Sequence, residues 1–157
     1  MKGKYYSTKR FGPTSTGHRQ YLASKIENSK SCSMIHGYGR VVEITFGGSE
    51  LDERGWLVNY GGLKEVKQWL ETEWDHRTLI SSNDPLIPEL LKLEEIGGIN
   101  INIMDAEKGY GPGIEQSCKY VFDWVDNWIQ KEYEGRCWVQ SVRIWEHENN
   151  SSIYTRD

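Results

Sequence analysis

H-G-Y-G-R-V-V-E-I-T-F-G-G, residues 36–48, alternates with a period of two. His36, Tyr38, Arg40, Val42, Ile44 and Phe46 share one face of an extended segment, and Val41, Glu43 and Thr45 share the other. The Gly47-Gly48 pair closes the strand. Upstream, Tyr5 to Phe11 is rich in strand formers and runs into the turn-like Gly12-Pro13-Thr14-Ser15-Thr16-Gly17, which predicts a strand followed by a loop. Downstream, Leu63, Val66, Leu70 and Trp74 recur at helical spacing and predict an amphipathic helix ending near Asp75 and His76.

Residues 81–98 carry two prolines and a Gly-Gly stop and read as an ordered excursion with one or two helical turns. Ile99, Ile101 and Ile103 alternate with asparagines as a brief edge strand. Past the glycine-rich 109–113, an apolar stripe through Ile114, Cys118, Val121, Val125, Trp128 and Ile129 predicts a second helix. Glu115 in its first turn suits the positive helix end. Val142, Ile144 and Glu146 share a face of a further strand, and a turn at Asn149-Asn150 leads to a last strand reaching Tyr154. The order predicts an α+β fold in one domain, residues 1–157.

Three cysteines in no regular framework, and no apolar N-terminal stretch, lead us to expect a reduced, cytoplasmic protein with no membrane segment. A net charge of -4 with both signs interspersed gives no footprint for nucleic acid. Seven tryptophans and nine tyrosines suit the core, a subunit interface or a flat ligand.

The segment C-S-M-I-H-G-Y, Cys32 to Tyr38, carries the first chemistry. His36 and Tyr38 project from one strand face; with His18 as a third group they could clamp a metal and leave a position open. Ordinary packing and hydrogen bonding account for the same spacing, and Cys32 reads equally as a small apolar residue. Asp75 can orient His76, and a histidine at a helix end is also stabilised without further duty. Glu146 continues an apolar face and needs donors, which the N–H edge of an aminopyrimidinone would supply.

Together these pieces resemble the family of 6-pyruvoyl-tetrahydropterin synthase and 6-carboxy-5,6,7,8-tetrahydropterin synthase. The resemblance runs through F-G-P-T-S-T-G-H-R with His18, C-S-M-I-H-G-Y, G-W-L-V-N-Y-G-G-L-K, W-D-H at 74–76, P-G-I-E-Q at 112–116 and I-W-E-H around Glu146. It implies a tunnelling fold: a four-stranded antiparallel sheet with two helices on one face, assembled as a homo-oligomeric barrel, a hexamer as a dimer of trimers, with sites between subunits. It also implies a metal-dependent lyase of the queuosine and deazapurine route acting on 7,8-dihydroneopterin triphosphate, by triphosphate elimination and side-chain cleavage. Cys32, Asp75 and His76 would then move protons, Glu146 would anchor the pterin, and zinc would sit on His18 and His36. Arg19 could meet the triphosphate.

Three positions depart from the family pattern: Tyr38 stands where the third metal histidine is expected, Asn59 where an aspartate is, and His147 where a threonine is. The pyruvoyl-forming reaction, or a non-catalytic pterin- or purine-binding protein with a degenerate metal site, remain alternatives.

Overall fold

The computed structural model describes residues 3–157. In chain order its regular elements are β1 (Tyr5–His18), β2 (His36–Gly48), α1 (Lys64–Trp74), β3 (Arg77–Ser81), α2 (Ile87–Glu95), β4 (Ile101–Met104), α3 (Ile114–Glu132), β5 (Cys137–His147) and β6 (Asn150–Thr155). The strands form one sheet in the order β4-β3-β1-β2-β5-β6. Strands β1, β2, β5 and β6 pair antiparallel, as expected for the four-stranded core. β3 and β4 add to the β1 side in parallel, so the sheet has six strands rather than four.

Strand β2 obeys the alternation read from its sequence: Arg40, Val42, Ile44 and Phe46 are buried, and Val41, Glu43 and Thr45 are partly exposed. The buried row meets the apolar stripes of the two long helices, Val66, Leu70 and Trp74 of α1 and Cys118, Val121, Val125 and Ile129 of α3. Each such side chain removed from water contributes roughly 1.5–3 kcal/mol. Trp69 of α1 stacks on Trp124 of α3 with ring centroids 4.2 Å apart, fixing one helix against the other. No helix among the described residues is long and apolar enough to cross a membrane.

Two expectations change. β1 does not stop at Phe11: it continues to His18 through an irregularity between Phe11 and Thr14. Gly12 has φ 96, and a Cβ there would lie 2.6 Å from the Arg40 carbonyl oxygen, so the glycine read as a turn signal is a bulge residue inside a strand. His18 is therefore a strand residue, not a loop residue. The excursion after Ser81 is a third helix, α2, whose Leu90 packs on Ile80 and Ile101.

Candidate functional site

Cross-strand register builds the site at one end of the β1–β2 pair. His18 lies opposite His36, Gly17 opposite Gly37 and Thr16 opposite Tyr38. A Cβ on Gly37 would come within 2.5 Å of the Thr16 carbonyl oxygen, so the small residue between His36 and Tyr38 is what lets the strands close here. The two imidazoles meet with centroids 4.4 Å apart, and the Tyr38 ring sits 5.0 Å from that of His18.

The Tyr38 hydroxyl donates to Glu146 Oε2 at 2.7 Å and lies 2.9 Å from His18 Nε2. Its single proton is given to the carboxylate, so Nε2–H of His18 donates to the Tyr38 oxygen. The other ring nitrogen, Nδ1, is buried with no partner, at a cost of about 1–3 kcal/mol. His36 Nδ1–H donates to the Met34 carbonyl at 2.7 Å, which leaves its Nε2 free to accept. Glu146 Oε1 accepts from Asn150 Nδ2 at 3.0 Å across the β5–β6 turn.

Charge states follow from these partners. Burial, then Arg40 and His36, push the His18 imidazole down to about 3, against the pull of Glu146. Burial and the bond to Glu146 raise the Tyr38 phenol well above its ordinary value, so it is a neutral donor. Burial acts to raise Glu146, but its bonds from Asn150 and Tyr38 and the nearby His147 and His18 outweigh that and hold it below the ordinary value. Glu146 is thus an ionised acceptor.

Below this wall lies Arg40, fully buried, two residues beyond Tyr38 on the same face of β2. It donates to Ser117 Oγ at 2.8 Å and to the Pro112 carbonyl, and its guanidinium packs over the Trp74 ring with a centroid distance of 5.4 Å. Burial lowers it to about 10, so it remains a cation. Through Pro112 and Ser117 it fixes the start of α3, which carries Glu115.

Cys32 sits exposed in a 3-10 segment, Glu27–Ser33, that follows another at Tyr21–Lys25. The loop closes where Gln20 N–H donates to the Cys32 carbonyl at 2.8 Å. Arg19 also ties it down: Nε and Nη2 grip Asp84 at 2.6 and 2.9 Å, and Nη1 donates to the Ser33 carbonyl at 3.1 Å. The Asp84 side chain is 0% exposed. Arg19, expected as a triphosphate contact, is instead committed to this clamp.

His18, Cys32, His36, Tyr38, Glu115 and Glu146 all line one cavity of 650 Å³. Glu115 was read from the sequence only as a helix-end charge; its place in P-G-I-E-Q was the available signal. Asp75 and His76 do not line this cavity. Asp75 Oδ1 accepts from Ser15 N–H at 2.9 Å and Oδ2 pairs with His76 Nδ1 at 2.9 Å; these bonds lower the Asp75 carboxyl, the Ser15 bond most. His76 adopts φ 57 and its side chain is 81% exposed. His147 lies exposed, accepting from Asn149 N–H at 3.2 Å.

Among the described residues no three His, Cys, Asp or Glu side chains gather so as to hold an ion, and the Tyr38 hydroxyl lies between His18 and Glu146.

A four-stranded antiparallel core extended by two parallel strands and backed by two long helices, with a carboxylate-walled pocket at the end of its central pair, defines a tunnelling-fold protein. The family profile described as 6-pyruvoyl tetrahydropterin synthase matches residues 9–157, and the chain belongs to that family. A 6-carboxy-5,6,7,8-tetrahydropterin synthase from Aquifex aeolicus is 28% identical over 127 residues, covering 80% of this chain and 76% of the relative. The same fold occurs in an uncharacterized protein from Wolinella succinogenes, with TM-score 0.79, 21% identity and coverage of 98% and 99% of the two chains. It occurs also in the 6-pyruvoyl tetrahydropterin synthase of Caenorhabditis elegans, with TM-score 0.64, 17% identity and coverage of 99% and 97%.

Proposed function

We propose that the chain is a lyase of the 6-carboxy-5,6,7,8-tetrahydropterin synthase type, acting on 7,8-dihydroneopterin triphosphate in queuosine and deazapurine synthesis. The observation that carries this reading is the single cavity joining an ionised Glu146, a second carboxylate at Glu115, and the exposed thiol of Cys32. An aminopyrimidinone edge presents two parallel N–H donors, and a carboxylate held by Asn150 and Tyr38 keeps lone pairs free to accept them. With the ring held there, its side chain extends toward the Cys32 loop. Cys32 takes a side-chain proton, and the electron pair expels triphosphate from the neighbouring carbon. Water then adds to the side-chain carbon attached to the ring, and with a second proton transfer the bond from that carbon to the next breaks, leaving the carboxylate product, which keeps the water oxygen, and acetaldehyde.

The dyad Asp75–His76 is well formed as a proton-transfer pair but stands outside the cavity of its own chain. In a homo-oligomer, a neighbouring subunit would bring its exposed His76 to this pocket. The exposed apolar side chains flanking Cys32, Met34 and Ile35, together with Leu22 and Ile26, supply a surface for that neighbour.

The test is turnover of 7,8-dihydroneopterin triphosphate with the products weighed by mass spectrometry. The lyase reading expects triphosphate and the 6-carboxy product. A 6-pyruvoyl product would move the chain to the other branch of its family. Binding of a pterin without release of triphosphate would contradict catalysis and leave a binding protein, a reading favoured by Tyr38 between His18 and Glu146.

A further inference from the structure

We propose that protein fills the place the resemblance gives to zinc: the Tyr38 hydroxyl, bridging His18 and Glu146, organises the pocket wall, which binds pterin without a transition metal. This rests on the pterin-pocket reading above. A metal clamp needs neutral imidazole lone pairs aimed at one point. Here the His18 Nε2 bears the proton it donates to Tyr38 at 2.9 Å, so that nitrogen offers none while the bridge holds. The His18 lone pair is on the buried Nδ1, away from the Tyr38 bridge, and His36 keeps its lone pair on Nε2.

The bridge also replaces a metal's second task, that of fixing side chains. Tyr38 holds Glu146 from one side at 2.7 Å and Asn150 holds it from the other at 3.0 Å, so the pterin-facing carboxylate is oriented by hydrogen bonds alone. Positive charge is not missing either. Arg40 is buried beneath the wall and acts electrostatically on both His18 and Tyr38. In a low-dielectric interior this guanidinium opposes the entry of a second cation. Tyr38 and Arg40 occupy alternate positions of one strand face, so both substitutes come from β2.

The experiment compares the wild-type chain, Tyr38→Phe and Tyr38→His, each dialysed against zinc and then buffer, with metal content measured by mass spectrometry and affinity measured with fluorescent neopterin. Wild type and Tyr38→Phe should retain almost no zinc, and Tyr38→His, with three imidazoles in register, at least about tenfold more than Tyr38→Phe. Neopterin affinity of wild type should not change on adding a chelator, and Tyr38→Phe should bind about fivefold more weakly because Glu146 loses a donor. Stoichiometric zinc in wild type, loss of binding with chelator, or a Tyr38→His protein no richer in zinc than Tyr38→Phe would each overturn the proposal. A metal-free wild type that ignores neopterin, with zinc gained in Tyr38→His, contradicts the pterin pocket while upholding the claim that Tyr38 keeps metal out.

Discussion

The strand-borne wall and the loop-borne groups of this molecule are built in opposite ways. His18, Tyr38 and Glu146 lie on strands, are buried or half-buried, and hold one another at 2.7 and 2.9 Å. Cys32 and the Asp75–His76 dyad sit on connecting segments, exposed, with His76 in a left-handed conformation that non-glycine residues rarely adopt. A binding surface gains from rigidity because its groups need not be ordered when the ligand arrives. In the proposed function, the proton-transfer groups are the exposed ones. The wall then binds the ring within one chain, and the Asp75–His76 dyad acts on the pocket of a neighbour.

Substitutions on the two sides should therefore separate binding from turnover. The largest effect is expected at the exposed thiol: Cys32→Ala should lower turnover by about 10²–10⁴-fold while neopterin affinity stays within twofold, about the limit of the measurement. Equal losses in both would place Cys32 in the wall instead. Next comes the clamp that carries the loop. Asp84→Ala leaves a mostly buried Arg19 unpaired and should cost about 3 kcal/mol in urea unfolding, with turnover falling more than affinity as the Cys32 loop loosens. Smallest is the dyad backbone: His76→Gly should abolish the dyad's share of turnover yet leave stability unchanged or raised by about 1 kcal/mol, since glycine tolerates the left-handed conformation. A destabilised His76→Gly would show that the imidazole packs rather than reacts.

The same division explains what could be read from the sequence. β2 was legible because a half-buried strand writes its two faces into alternate residues, and the helices were legible for the analogous reason. β3 was not: Arg77–Ser81 is five residues long, buried at its three central positions, and too short to show a period. Gly12-Pro13 spelled a turn, and only pairing with β2 turns it into a bulge that carries the strand on to His18. Glu146 and Cys32 could be named from their neighbours. What they touch could not, because Tyr38 meets Glu146 across 108 positions and Arg19 meets Asp84 across 65. The dyad was legible as a pair, and its distance from the cavity was invisible to spacing.

The proposed function turns on Glu146 being the acceptor that recognises the ring. The direct measurement is a fluorescence titration of neopterin into the wild-type chain and into Glu146→Ala. Saturable binding is expected in wild type and a loss of about a hundredfold in the variant, since the charge-assisted bonds to the carboxylate held by Tyr38 and Asn150 are removed. Equal affinity in the two proteins would contradict it.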